Sequence, residues 1–281
     1  MPRKAVERVA CPRSYLMCSP DCFAVKYAIN PWMEPGGSVD VGLACAQWRR
    51  LCDVLRGLGH EVELAAPRPG LPDMVFTANA ATVIDARVLV SNFRHRERAD
   101  EAPAFEQWFR ERGYQTVRRA YGVNEGEGDH LPVDGVILAG HGPRTDHASH
   151  AETSDYFGRP VVGLALVDPR YFHLDTALAV LGENEVMYYP AAFSDESLRR
   201  LRALFPDAIE ADEGDAAVFG LNAVSDGRHV VLPAAAHRLA DRLADRGFEP
   251  IPVELDEMMK AGGGPKCCVL ELRSALTMHG H

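Results

Sequence analysis

Helix-like runs of apolar and polar positions in this chain repeatedly end in glycine and pass straight into strand-like runs. The pattern occurs at 55–64 (LRGLGHEVEL), 109–117 (FRERGYQTV) and 243–251 (LADRGFEPI). In each, Gly59, Gly113 or Gly247 fits the left-handed position that ends a helix. Weaker relatives stand at 156–162 (YFGRPVV) and 204–209 (LFPDAI). Extended segments lie between them, at 79–90 (NAATVIDARVLV), 175–189 (DTALAVLGENEVMYY) and 222–232 (NAVSDGRHVVL), each reading strand, turn, strand. The junctions near 59, 113, 158, 205 and 247 are 54, 45, 47 and 42 residues apart. The spacing predicts roughly five α/β units of about 50 residues, each too small to bury its own apolar face and so stacked on the others. A closed ring of such units would bring strand ends from distant parts of the chain to one axis, whereas an ordinary α/β sheet would show similar junctions without one.

Four segments could carry chemistry. In 261–272 (AGGGPKCCVLEL), three glycines permit close approach to a ligand, and a strand beginning near Val269 would fix the cysteines at its mouth. Extended, Cys267 and Cys268 point to opposite faces, so one of them faces a site, and Lys266 would favour its thiolate. In 171–176 (YFHLDT), His173 and Asp175 would share one face of a strand, as general acid/base and as orienter. In 124–130 (NEGEGDH), an extended chain would put Glu125, Glu127 and Asp129 on one face, a repulsion that an organic cation would relieve. In 71–80 (LPDMVFTANA), the alternation reads as a half-buried strand with Asp73, Thr77 and Asn79 leading to its tip. The bland reading of each is a packed cysteine pair, a satisfied core histidine, a solvated acidic loop and a plain edge strand.

Composition narrows the classes. Of 281 residues, 47% are hydrophobic and 25% charged, enough to fill a core. With 30 basic and 40 acidic residues, the formal charge of −10 argues against nucleic acid and anionic membranes as partners. No apolar stretch opens the chain as a secretory leader would, which predicts a cytoplasmic protein. Seven cysteines at irregular spacing predict free thiols in a reduced compartment, with no metal site. Gly-x-Gly-x-x-Gly, Walker, His-Glu-x-x-His and Gly-x-Ser-x-Gly motifs are all absent from the sequence.

In this order, the four segments resemble those of the guanidino-group-modifying enzymes: arginine deiminases, dimethylarginine dimethylaminohydrolases, amidinotransferases and arginine dihydrolases. The resemblance runs from 17–20 (MCSP) and 29–33 (INPWM) to the GGGPKC segment. It implies a single domain over 1–281, a five-bladed α/β propeller (pentein fold) with a central site, no cofactor, and a small-molecule substrate, arginine or a methylated arginine. A homo-oligomer is compatible with it. Cys267 would be the nucleophile and His173 the acid/base. Glu127, chosen over Glu125 on its spacing from Asn79, would carry the family glutamate's role. Asp175 would grip the guanidinium, Arg98 and Arg144 would organise the substrate's carboxylate end, and Asp73, Asp129, Asn79 and Asn30 would complete the binding set.

Asn79 stands where deiminases and dimethylaminohydrolases usually carry Asp, and Thr-Ala-Asn is similar to the arginine dihydrolases. Retention of Asp175 implies an unmethylated guanidinium. The resemblance therefore points to an arginine dihydrolase giving ornithine, ammonia and carbon dioxide. Dimethylarginine hydrolysis to citrulline and arginine deimination are the enzymatic alternatives, and a ribosome-binding propeller is the non-enzymatic one.

Overall fold

The computed structural model of the chain describes residues 8–273. The opening stretch read for a leader lies, through residue 7, outside the described residues. Strand β1 (Ser14–Cys18) leads to helix α1 (Val41–Gly57), which starts where the Asp40 carboxylate accepts the Leu43 N–H at 2.9 Å. Residues Ala44, Trp48, Leu51, Cys52 and Leu55 recur at helical spacing and form its buried face, so the helix packs on the sheet that its own strands build. The chain returns as β2 (Glu61–Ala65), parallel to β1.

The same plan then recurs with a hairpin in front. Strands β3 (Ala81–Ile84) and β4 (Arg87–Val90), helix α2 (Glu101–Glu111) and strand β5 (Thr116–Arg119) form the second unit. The third has β6 (His130–Val133), β7 (Val136–His141), α3 (Ser149–Phe157) and β8 (Val161–Ala165). The fourth opens with a one-turn helix, α4 (Leu174–Ala177), before β9 (Leu178–Gly182), β10 (Glu185–Tyr188), α5 (Asp195–Leu204) and β11 (Ile209–Glu210). The fifth comprises α6 (Glu213–Ala217), β12 (Val224–Ser225), β13 (His229–Pro233), α7 (His237–Asp245) and β14 (Glu249–Val253). After α8 (Asp256–Met259), β15 (Leu270–Glu271) pairs antiparallel with β1, Tyr15 facing Glu271. The last strand thus supplies the hairpin partner that the first unit lacks.

Five three-stranded sheets result, each with one antiparallel and one parallel pair. This is an α/β fold of five small units, and the helix-to-strand junctions fall where the repeats predict. Gly59, Gly113, Gly158 and Gly247 all have φ between +66° and +88°, the left-handed stop the sequence suggested. The fifth junction has no glycine; α5 stops at Leu204, just before Pro206.

Three local expectations differ from the structure. Residues 71–80 hold two 3₁₀ turns, Pro72–Val75 and Thr77–Asn79, buried on every side rather than forming a half-exposed strand. His173 is the residue before α4 and Asp175 lies inside it, so the pair occupies a helix start and not a strand. Residues Gly126–Gly128 form a 3₁₀ turn, which splays the three acids instead of lining them on one face. Among the described residues, no helix is long and apolar enough to cross a membrane.

Candidate active site

The cleft is built where chain segments leading into the first strands of several units converge. Asn79 precedes β3, His173 precedes α4 and β9, and Cys267 precedes β15. With Asn30, Asp73, Arg98, Arg144, Phe76 and Phe172, they line one small cleft. All of these except Asn30 are buried.

Cys267 is held from both backbone and side chain. Its carbonyl accepts the Ala78 N–H at 3.1 Å, and its N–H donates to Asn222 Oδ1 at 3.1 Å. Asn222 Nδ2 donates to the sulfur at 3.1 Å and to the Asp175 carbonyl at 3.0 Å. The thiol in turn donates to Asp175 Oδ2 at 3.6 Å. Two of the three preceding glycines are there for space: a Cβ on Gly263 would fall 2.1 Å from the Phe76 ring, and one on Gly264 2.7 Å from Asn222 Oδ1. Burial and the neighbouring Asp175 push the Cys267 thiol well above its usual range. Lys266, read as favouring the thiolate, is drawn to Glu127 at 3.0 Å and to the Val269 carbonyl at 3.1 Å. Cys268 is packed in the core, beyond the cleft lining.

His173 pairs with Glu125, Nε2 to Oε2 at 2.7 Å, and Arg144 Nη1 donates to the same oxygen at 2.7 Å. Burial opposes ionisation of Glu125, but Arg144 and His173 outweigh it and hold the carboxyl well below its usual range. Burial drives His173 down to about 4 despite Glu125, leaving a neutral imidazole at pH 7. Arg144 also donates to the Ile29 carbonyl at 3.0 Å, and its guanidinium lies 4.8 Å from the Phe172 ring centre. Arg98 forks onto Glu101 at 2.9 and 2.8 Å and gives Nη1 to Asn79 Oδ1 at 2.8 Å. Asn79 Nδ2 donates to the Glu125 carbonyl at 3.2 Å. Asp73 accepts the Tyr27 hydroxyl at 3.0 Å, while Asn30 ties the Ala261 carbonyl at 3.0 Å.

Of the sequence-derived acids only Asp73 lines this cleft; Glu125 and Asp175 stand behind it, bonded to His173 and Cys267, and Glu127 and Asp129 touch neither. Glu127 is turned away by the Gly126–Gly128 turn and accepts from Lys266, Arg273 and the Glu271 N–H, a buried structural knot. Asp129 accepts the Thr145 hydroxyl at 2.6 Å and the Leu174 N–H at 3.0 Å, fixing the turn that carries His173. Glu125, weighed second in the sequence, is the acid that reaches His173. Asp175 lies against the Cys267 sulfur, its Oδ1 buried and without a hydrogen-bond partner among the described residues, and burial lifts its carboxyl to about 7.

Asn222 was not singled out for chemistry, although it heads the third of the repeated extended segments. Its counterparts at the heads of the other two are Asn79 and Asp175, and that shared position was the available signal.

A family model described as "N,N dimethylarginine dimethylhydrolase, eukaryotic" matches residues 38–274. The dimethylarginine dimethylaminohydrolase of Mycobacterium tuberculosis is 52% identical over 92% of this chain and 86% of its own. The bifunctional arginine dihydrolase/ornithine cyclodeaminase ArgZ of Synechocystis is 36% identical over 95% of this chain and 38% of its own. The N-terminal domain of ArgZ, solved as a cysteine-to-serine variant bound to substrate, matches with a TM-score of 0.89 at 36% identity, covering 93% of this chain and 98% of that one.

Proposed function

The chain belongs to the dimethylarginine dimethylaminohydrolase family, hydrolases of guanidino C–N bonds, and from that premise we propose that it hydrolyses free L-arginine through a covalent adduct on Cys267, releasing ornithine, ammonia and carbon dioxide. One observation carries the choice of substrate. Asp175 Oδ2 touches the Cys267 thiol, and its buried Oδ1 lacks a partner. A buried acceptor left open costs stability unless something fills it, and an unmethylated guanidinium offers an N–H there.

The chemistry follows from the charges. In the empty site Cys267 is a thiol and Asp175 is half-protonated near neutrality. Entry of a guanidinium favours both anions, so binding itself generates the nucleophile. The thiolate adds to the guanidinium carbon, forming the S–C bond and a tetrahedral adduct. His173, steadied at Nε2 by Glu125 and neutral at rest, takes the proton that the Cys267 thiol gives up and passes it to the departing ammonia as the C–N bond breaks. The resulting amidino-thioether takes up water, whose proton goes to His173, and expels the thiolate to leave a ureido group. A second round of addition, ammonia loss and hydrolysis leaves a carbamate, which falls apart to ornithine and carbon dioxide. Two waters are consumed and two ammonia molecules released.

Asn79 favours the second round. A ureido group is neutral, and a neutral amide at this position, held by Arg98, gives up less attraction than a carboxylate would when the substrate's charge disappears. Arg144 is the group suited to the substrate's carboxylate end. A closed five-bladed ring around this cleft is the architecture we infer, supported by the pairing of β15 with β1 and by contacts of β15 with β3, β6 with β9 and β9 with β12.

A second reading, hydrolysis of asymmetric dimethylarginine to citrulline and dimethylamine, draws on the family model and the 52% identical mycobacterial relative. Acid-quenched turnover analysed by intact-protein mass spectrometry tests the mechanism common to both. The wild-type chain should carry an amidino adduct on Cys267, and Cys267→Ser should carry none and lose turnover. Full activity in Cys267→Ser would overturn the assignment.

A further inference from the structure

A second cavity shares no lining residue with the cleft and offers about 200 Å³ of space, open to solvent at one side. Its walls come from β1, β6, β9, β12 and the C-terminal segment, and its charged lining is Arg13, Lys266, Arg273, Glu271, Asp134 and Glu183. Tyr15 in the same wall is 2% exposed, yet its hydroxyl has no hydrogen-bond partner among the described residues. Arg13 Nε is likewise buried and unpartnered. Buried donors are rarely left open, because the lost hydration is not recovered.

The charges are arranged in two sets. Arg13 and Arg273 both bond Glu271, and Arg273 and Lys266 both bond Glu127 beneath the cavity. Three cations therefore meet two carboxylates, an excess of one positive charge beside the two open donors. Asp134 and Glu183, by contrast, are exposed residues of hairpin turns. A simple anion would be met by these two acids, and a simple cation by the basic cluster. A ligand bearing a carboxylate and a cationic end satisfies both.

We infer that this cavity is a second binding site for a basic α-amino acid, its carboxylate received by Arg13, Arg273 and the Tyr15 hydroxyl, its α-ammonium by Glu271 between those two arginines, and its cationic side chain by Asp134 and Glu183. The site rests on the proposed function only for the identity of that ligand, since ornithine and arginine belong to this class. Lys266 connects it to the reaction: its side chain lines the cavity, while its backbone N–H donates to Asn222 Oδ1, the same oxygen that accepts from Cys267. Occupancy would therefore be felt at the nucleophile, as expected of a regulatory site.

The test blocks the cleft first. The protein is alkylated with 2-chloroacetamidine, labelling of Cys267 is verified by mass, and L-ornithine is titrated calorimetrically into labelled and unlabelled protein. Labelled protein should still bind one ornithine, and unlabelled protein one more. Acetate and 1,4-diaminobutane, each carrying half of the recognition, should bind at least about tenfold more weakly. Tyr15→Phe, which removes a hydroxyl without a protein partner, should weaken binding about fivefold to tenfold in labelled protein with an unchanged melting temperature. The double variant Asp134→Asn, Glu183→Gln should weaken it similarly. Absence of ornithine binding to labelled protein, or binding indifferent to both variants, would overturn the inference. Failure of Cys267 to label would count against the catalytic assignment instead, and the Tyr15→Phe comparison on unlabelled protein would still decide the second site.

Discussion

Glu125 and Glu127 are two residues apart, yet the turn between them sends one carboxylate to His173 and Arg144 and the other to Lys266 and Arg273. On the proposed mechanism, Glu125 would serve the reaction and Glu127 stability. Glu125→Gln should lower kcat by about a hundredfold or more, the usual range for disabling a general acid/base, with the fold retained. Glu127→Gln should leave the partly buried Lys266 without its carboxylate and Arg273 with Glu271 alone, and cost about 3 kcal/mol in denaturant unfolding, with kcat at low temperature largely kept. The reverse pattern would show that Glu127 serves the reaction.

Asp175 sets the acid side of the pH profile. Its carboxyl is protonated below about 7 in the empty enzyme and ionised above, and a guanidinium is attracted only by the ionised form. The parameter kcat/KM, which reports the free enzyme, should therefore climb as pH rises through about 7, and Asp175→Asn should abolish that inflection while lowering the plateau. An inflection unmoved by Asp175→Asn would assign it to another group, Glu101 being the obvious candidate because burial also lifts it to about 7.

Residue types were readable from sequence more easily than their directions. Cysteine after a glycine run, histidine two before aspartate, and an acid cluster all named themselves. Which acid meets His173 did not, because a 3₁₀ turn rotates successive side chains by about a third of a circle and an extended chain by half.

At the scale of elements, glycine positions mark four of the five helix-to-strand junctions, because a left-handed residue stops a helix abruptly; the fifth ends before Pro206 instead. The alternation in 71–80 predicts one wet face, whereas consecutive 3₁₀ turns here bury polar and apolar side chains alike. Asp73, Thr77 and Asn79 can be buried because Tyr27, the Leu16 carbonyl and Arg98 receive them. Such long-range partners leave no trace in local pattern. A close fit between elements joins the two 3₁₀ turns that carry Asn79 and Glu127. A Cβ on Gly128 would come 2.2 Å from Asn79 Nδ2. Gly128→Ala should push Asn79 off Arg98 and reduce kcat at least about tenfold, a displacement of the kind that costs far more in rate than in binding. A crystal structure of the variant with Asn79 unmoved, or activity within twofold of wild type, would contradict this.

For the whole molecule, the repeat spacing foretold five units, but not that the first is completed by the last. That information resides in a strand of two residues, Leu270–Glu271, too short to carry a period. Its pairing with β1 joins residues more than 250 positions apart and places Cys267 just ahead of it. Truncation after Val269 would remove β15 together with Arg273, one of the two cations on Glu127. Such a chain should lose its cooperative thermal transition, which circular dichroism would register. A melting temperature within a few degrees of the full chain would mean that the first unit holds without its partner strand.

The central claim concerns what leaves the cleft. Purified protein would be incubated separately with L-arginine and with asymmetric dimethylarginine, and ornithine, citrulline and ammonia quantified against substrate consumed. L-Arginine should give ornithine with two ammonia molecules per arginine, and the methylated substrate should turn over little. Citrulline and dimethylamine from asymmetric dimethylarginine, with L-arginine untouched, would contradict it and make Asp175 and Asn79 compatible with a methylated guanidinium after all.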